Sequence, residues 1–401
     1  MGIPLRWVAI SVFLLSSTLS YLDRQLVAAL APTLMNEFHL SNFEFGEIAS
    51  VFSIVYALTA PAAGLFIDRA GLNAGATISV IAWSLAGAAT GLTQSFRGLL
   101  ACRTMLGIAE AASIPGFGKA GATYLEPREL ALGTAFNQIG ISLGLAAAPL
   151  IVGVLAPRYG WRSAFVACGA LGLIWAPLWW FTSKRVPARL AASVTPAAPV
   201  ADLLRDRRLW GMVFANMFIM TLYTLWTNWT TAYFNQAWRL TQEEANLRYA
   251  WLPSIFATLG GFFGGALAFH WIRSGVKAMV ARLRISWISA IAALLTTAAI
   301  PLMPTPGLAT ALICASFFWT LCSSTNMYAL PIDVFGPGRA AFSVAALTSG
   351  YGLMQAFVSP VIGTIVDHFG FPQVCVAVSA MPMVGAWILQ SAIHGSLDVT
   401  V

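Results

Sequence analysis

Twelve stretches of the 401-residue sequence are apolar over the length needed to cross a bilayer: 7–30, 43–67, 74–94, 98–120, 131–156, 162–182, 207–232, 248–272, 279–300, 306–328, 340–366 and 372–393. A hydrocarbon core about 30 Å thick takes about 20 apolar residues in a helix. Lipid offers the backbone no hydrogen bonds, so a run of this length can only be helical. This pattern alone implies an all-α integral membrane protein with twelve transmembrane helices. Charged residues make up 9% of the chain, against about 25% in a soluble domain. The first run is not a cleavable signal, because it continues past Asp23-Arg24 with no small-residue cleavage site.

The net charge of +7 then describes topology rather than a nucleic-acid partner. With the N-terminus inside, fourteen of the 22 Lys and Arg residues fall in cytoplasmic segments, five in outer loops and three within spans. That asymmetry predicts both termini in the cytoplasm, in a bacterial inner membrane. The longest polar stretch, 183–206, is rich in Ala, Pro and charge and reads as a cytoplasmic linker. It separates two six-helix bundles, 1–182 and 207–401. Five scattered cysteines lack metal-ligand spacing and read as small buried hydrophobes. No metal or organic cofactor is expected, and the chain reads as a monomer in the lipid bilayer.

Charges within apolar runs are costly unless they face a polar interior or a partner, and so mark functional candidates. Arg103 and Glu110 are seven residues apart, which puts them on one helix face about 10 Å apart. Asp23 and Arg24 lie in the first run, at a membrane level similar to that of Arg103. Arginine offers a permanently charged fork matched to a carboxylate. A carboxyl taken out of water can exchange a proton near neutral pH. The plainer alternative is that Asp23 or Glu110 neutralises an arginine in a buried packing pair. Lys119 could either meet substrate or snorkel to the interface.

An internal repeat is also present. The second, fifth and eleventh runs end Gly64…Gly71, Gly153…Gly160 and Gly363…Gly370, each a Gly-x6-Gly with a polar or proline break. The eighth ends more loosely at Gly265…Gly275. Every third helix ends alike on alternating sides, as expected of inverted three-helix repeats. Gly64-x3-Asp68-Arg69-x-Gly71 resembles the loop motif of the major facilitator superfamily, although Leu72 and Asn73 replace its closing basic residues. The resemblance implies a gating role for Gly64, Asp68, Arg69 and Gly71.

A narrower resemblance, to the anion:cation symporters and closest to their hexuronate (sugar-acid) branch, covers most of the chain. It rests on Tyr21-Leu-Asp23-Arg24-Gln25, Tyr56, Arg103-x3-Gly107-x2-Glu110-Ala111-x3-Pro115, Glu126-Pro-Arg128 and Gly160-Trp161-Arg162-x2-Phe165. It implies proton coupling at Asp23 and Glu110, with substrate held by Arg24, Arg103 and Tyr56, beside Tyr21. In the second half the candidates are neutral: Trp226 and Asn228, Asn326, and Ser349. They would hold the non-acid end of a substrate. Ile141 and Ser349 stand where sugar-acid members tend to have Gln and Asn, which points towards a less hydroxylated acid.

The expected activity is secondary active transport: proton-coupled symport of a small organic carboxylate by alternating access. An exporter or exchanger, or a non-translocating sensor, is the alternative. No metalloprotease or serine-nucleophile motif suggests an enzyme. No repeated filter loop suggests a channel.

Overall fold

A computed structural model describes residues 5–187 and 201–397. Among the described residues all regular structure is helical, and eleven helices are long and apolar enough to cross a membrane. The fourth predicted run is missing from that set because a two-residue turn at Ala111-Ala112 divides it into Phe96–Glu110 and Ser113–Tyr124, of 15 and 12 residues, whereas runs interrupted at one residue still count as single spans. The segment carrying Arg103, Glu110 and Lys119 is therefore interrupted rather than straight.

The helices are named here as α1 Leu5–Ala29, α2 Asn42–Ala70, α3 Leu72–Thr90, α4 Phe96–Glu110, α5 Ser113–Tyr124, α6 Leu130–Tyr159 and α7 Arg162–Arg185. They continue as α8 Arg207–Ile219, α9 Thr221–Trp238, α10 Leu252–Arg273, α11 Ala278–Ala299, α12 Pro306–Phe335, α13 Pro337–Phe369, α14 Phe371–Ser379 and α15 Met381–Leu397. The seventh and twelfth predicted runs are thus each broken into two helices.

Helix ends follow the sequence closely. Four helix starts carry a hydroxyl cap: Ser41 before α2, Ser95 before α4, Thr241 before the short helix Gln242–Ala245, and Thr305 before α12. At Ser41 the cap is reciprocal. The Glu44 carboxylate accepts from the Ser41 N–H at 2.8 Å, and the Ser41 hydroxyl accepts from the Glu44 N–H at 3.2 Å. The repeat glycines share one conformation, with φ of +79° at Gly71, +80° at Gly160 and +81° at Gly370. Their ψ values of 158°, 155° and 176° complete a backbone region that is essentially glycine's alone. Gly336, which ends α12, adopts it too, at φ +76°.

Two compact units divide the chain: Met1–Val194 with Arg239–Trp251, and Thr195–Trp238 with Leu252–Val401. The predicted bundle boundaries placed 239–251 in the second half, whereas this stretch packs with the first unit. Two contacts hold it there. The Gln242 amide oxygen accepts from the Thr33 N–H at 3.1 Å and from its hydroxyl at 2.8 Å, and Asn246 Nδ2 donates to the Ala29 carbonyl at 2.9 Å. Part of the predicted linker, 188–200, lies outside the described residues. Its end is seen at Asp206, whose carboxylate accepts from the Arg208 N–H at 2.8 Å to cap α8.

The first unit's core is aromatic. Trp175 and Trp179 stack at 5.8 Å on α7, and Phe13 of α1 meets both edge-on. The Trp175 indole donates to the Val12 carbonyl at 2.6 Å, so its polar edge is satisfied inside the core. In the second unit α10 and α12 approach closely enough that a Cβ on Gly264 would lie 2.4 Å from the Cys322 carbonyl oxygen. That is the small-residue packing expected where lipid supplies no hydrophobic drive between helices. Large apolar side chains such as Leu58, Phe181, Leu295 and Phe357 are exposed along the outer faces, as a lipid-facing surface requires.

Candidate functional site

The site is built on α1, α2, α4 and α7. One turn of α1 presents Ser20, Tyr21, Asp23 and Arg24. The facing stretch of α4 presents Arg103 and Glu110, with Gly107 between them. Gly107 lets α4 lie against α2, because a Cβ there would be 3.0 Å from the Phe52 carbonyl oxygen. Gly118 of α5, by contrast, is in an open position, with nothing within 4 Å of an added Cβ.

Of the four charged residues expected at the site, Arg24 and Glu110 are in direct contact, with Asp23 and Arg103 buried beside them. Asp23 is 2% exposed, Arg103 3% and Glu110 0%. Arg24 Nε donates to Glu110 Oε2 at 2.6 Å, and the Ser20 hydroxyl donates to the same oxygen at 3.1 Å. The Arg24 guanidinium sits in an aromatic cage, 4.8 Å from the Tyr21 ring centre, 5.0 Å from Phe52 and 4.6 Å from Tyr56. Cation–π contacts of this kind hold a guanidinium without neutralising it. Tyr21 and Tyr56 thus touch Arg24 directly.

Arg103 is held differently. Its guanidinium lies 5.8 Å from the Phe165 ring centre and makes no ion pair among the described residues. Its Nε and Nη2 are buried without a hydrogen-bond partner, as are Arg24 Nη2, Asp23 Oδ1 and Glu110 Oε1. Buried polar atoms are normally satisfied. This cluster thus brings together unpartnered donors on two guanidiniums and unpartnered acceptors on two carboxyls.

Sequence reasoning missed two partners. Phe52, one turn before Tyr56, completes the cage, and that spacing could have revealed it. Cys168, read as a buried hydrophobe, is indeed buried, and it lies next to the Asp23 carboxyl. It is three residues beyond Phe165 in the same motif. Gly87 of α3 makes room for this acid, since a Cβ there would lie 3.0 Å from Asp23 Oδ1. That contact has no sequence signal.

The remaining motif residues act as ties. Lys119 donates to Asp68 Oδ1 at 3.0 Å and to the Ile67 carbonyl at 2.9 Å, so it caps the end of α2. Gly64 lies 4.0 Å from Pro115 by its would-be Cβ, Gly71 makes the turn, and Arg69 is exposed. Arg6 bonds Glu126 and Glu129, each at 2.9 Å, which fastens the start of α1 to the segment before α6. Trp161 and Arg162 both donate to the Glu37 carboxylate, at 2.5 and 2.8 Å.

In the second unit, two of the expected substrate contacts are occupied by packing. Trp226 is 2% exposed and its indole donates to the Ser316 hydroxyl at 3.2 Å. Asn326 is 1% exposed. Its Nδ2 donates to the Gly264 and Cys322 carbonyls, each at 3.0 Å, and its oxygen accepts from Arg282 at 3.1 Å. Asn228 is half-buried with Nδ2 unpartnered, and Ser349 is exposed on α13. Nearby Tyr223 stacks on Phe317 at 5.1 Å and meets Tyr351 edge-on at 5.9 Å.

Comparison with known proteins completes the picture. The family model for the Major Facilitator Superfamily matches residues 13–359. The chain is 27% identical to a hexuronate transporter of Escherichia coli, over 99% of this chain and 96% of that one. It is 29% identical to a galacturonate transporter of Dickeya chrysanthemi, over 65% of this chain and 81% of the relative. In fold it is similar to the crystal structure of a bacterial homologue of the human lysosomal transporter Spinster. There the TM-score is 0.85 at 19% identity, over 99% of this chain and 98% of that one.

Proposed function

Since the chain belongs to the major facilitator superfamily, we propose that it is a proton-coupled symporter that carries a small organic carboxylate by alternating access. The observation behind this reading is the charged quartet, with Asp23, Arg103 and Glu110 buried and Arg24 half-buried, and its unpartnered polar atoms. Two guanidiniums and two carboxylates sum to zero when all are ionised. A bound carboxylate brings the cluster to −1, and one proton on Asp23 or Glu110 returns it to zero. A neutral cluster crosses a low-dielectric region at lower cost than a charged one, so the loaded carrier reorients more readily.

The geometry supports the following roles. Arg103 offers Nε and Nη2, adjacent corners of one fork, to a carboxylate. Arg24 contributes Nη2 while its Nε stays on Glu110. Protonation of Glu110 would release Arg24 from that pair and free it for the anion, which links proton and substrate through one hydrogen bond. Asn228, Ser349 and the Tyr223 group are the second unit's own candidates for a substrate contact.

The relatives' substrates favour a sugar acid, and the apolar Ile141 favours a simpler monocarboxylate; both fit the charged half of the site. The Lys/Arg asymmetry supports cytoplasmic termini and a bacterial inner membrane, with the chain acting as a monomer.

Proteoliposome uptake tests the proposal. An inward proton gradient should drive accumulation of a labelled carboxylate above its equilibrium level. Exchange that ignores the gradient would identify an exchanger, and binding without flux a sensor; either result overturns symport.

A further inference from the structure

Between Glu244 and Asp333 the sequence holds Arg248, Arg273, Lys277, Arg282 and Arg284, and no acidic residue at all. Arg282 and Arg284 are two positions apart on α11, so they point to nearly opposite sides of the helix. Arg282 turns inward to Asp333 at 2.5 Å and to the Asn326 oxygen at 3.1 Å. Arg284 turns outward. It is exposed and makes no ion pair among the described residues.

Arg284 lines a groove of about 490 Å³ together with Trp271, Trp287, Ile288 and Gln390. The Trp287 indole donates to Gln390 Oε1 at 2.7 Å, which fixes that ring and joins α11 to α15 along the groove floor. Its position is defined by the helix ends. Trp271 lies two residues before α10 stops at Arg273, and Arg284 lies six residues after α11 starts at Ala278. Six residues rise about 9 Å, within the reach of an arginine that snorkels to the interface. Arg273 and Lys277, exposed at the junction of α10 and α11, are on the same side. This is the membrane side that the Lys/Arg asymmetry reads as cytoplasmic, where anionic lipids attract basic clusters.

We propose that this groove binds one anionic phospholipid, with its phosphodiester on Arg284 and an acyl chain along the wall of Trp271, Trp287 and Ile288. A zwitterionic lipid is disfavoured because its own ammonium would sit beside the Arg284 guanidinium, while Asp333 is already held by Arg282 at 2.5 Å. The site is separate from the charged quartet and does not depend on what the protein transports.

Native mass spectrometry of the full-length protein in detergent tests this, with phosphatidylglycerol or phosphatidylethanolamine added at matched concentrations. The wild type should retain one phosphatidylglycerol about tenfold more tightly than phosphatidylethanolamine. Arg284→Gln should lose that preference and Arg284→Lys should keep most of it. Equal retention of the two lipids by the wild type, or an unchanged preference in Arg284→Gln, would overturn the site. A thermal melt of the wild type covers the case in which a variant does not fold. Phosphatidylglycerol should raise the midpoint and inorganic phosphate should not; an equal rise with phosphate would make this a plain anion site and refute the lipid.

Discussion

Replacing Arg103 by lysine keeps the charge and removes the fork. In the structure Arg103 Nε and Nη2 are buried and unpartnered, so a carboxylate arriving there makes two charge-assisted hydrogen bonds. Each such bond contributes about 1.5–3 kcal/mol. Lysine can supply one from a point charge on a shorter reach, so one bond is lost. With about 1.4 kcal/mol per tenfold, affinity for a carboxylate should fall roughly 10- to 150-fold.

The same residue makes an opposite statement about stability. Arg103 has no ion pair to break, so Arg103→Lys should leave the melting of the substrate-free protein nearly unchanged. Arg24→Gln is the contrast, because Glu110 is fully buried and would lose its 2.6 Å partner. Breaking a buried pair costs about 3–5 kcal/mol. Thermal melts of both variants, with and without a carboxylate that stabilises the wild type, separate the two effects. Unchanged affinity in Arg103→Lys, or a melt that falls as far as that of Arg24→Gln, would refute the assignment of the open fork to substrate.

Three further outcomes are expected. Glu110→Gln should abolish proton-driven accumulation while carboxylate exchange remains measurable in proteoliposomes; equal loss of both would reduce Glu110 to a counter-ion for Arg24. Gly71→Ala should destabilise by about 1–3 kcal/mol through backbone strain alone, because φ is +79° and no atom lies within 4 Å of the added Cβ. Gly118→Ala, helical and equally open, is its neutral control, and matching melts for the two would contradict the argument. The last concerns Asp206, whose carboxyl is held below the usual range chiefly by the Arg208 side chain. A lowered folded-state value contributes stability above the unfolded value, about pH 3.9, that disappears as pH falls through the folded one. Asp206→Asn should therefore melt below the wild type at pH 7, by the equivalent of about 0.5 kcal/mol for a partly exposed pair. The gap should close in acid, and a gap that persists there would rule the carboxylate out.

Much of the fold was legible in the chain because lipid leaves few alternatives. Spanning runs had to be helices, and their ends were marked by Ser41, Ser95, Thr241 and Thr305 at starts and by Gly71, Gly160 and Gly370 at stops. These are local signals, set by a residue's own hydrogen bonds or allowed φ. The four charges of the site were legible for the same reason, since each is conspicuous in an apolar run. The break at Ala111-Ala112 was not. The apolar run continues through the turn, so hydropathy leaves it unmarked.

What the sequence determined by itself, then, was which residues cannot face lipid: Asp23, Arg24, Arg103 and Glu110. Only the tertiary structure decided how they pair. Sequence position grouped the arginines as substrate ligands and the acids as proton carriers, whereas packing crosses that division by putting Arg24 on Glu110. Arg103 is left open, and Asp23 is set against the Cys168 thiol and the bare backbone of Gly87. Pairing depends on contacts such as the 2.6 Å between Arg24 and Glu110 and the 3.0 Å left beside Gly87 for Asp23, made between groups from different helices. Those distances are set by how closely the helices pack, and no single helix encodes them.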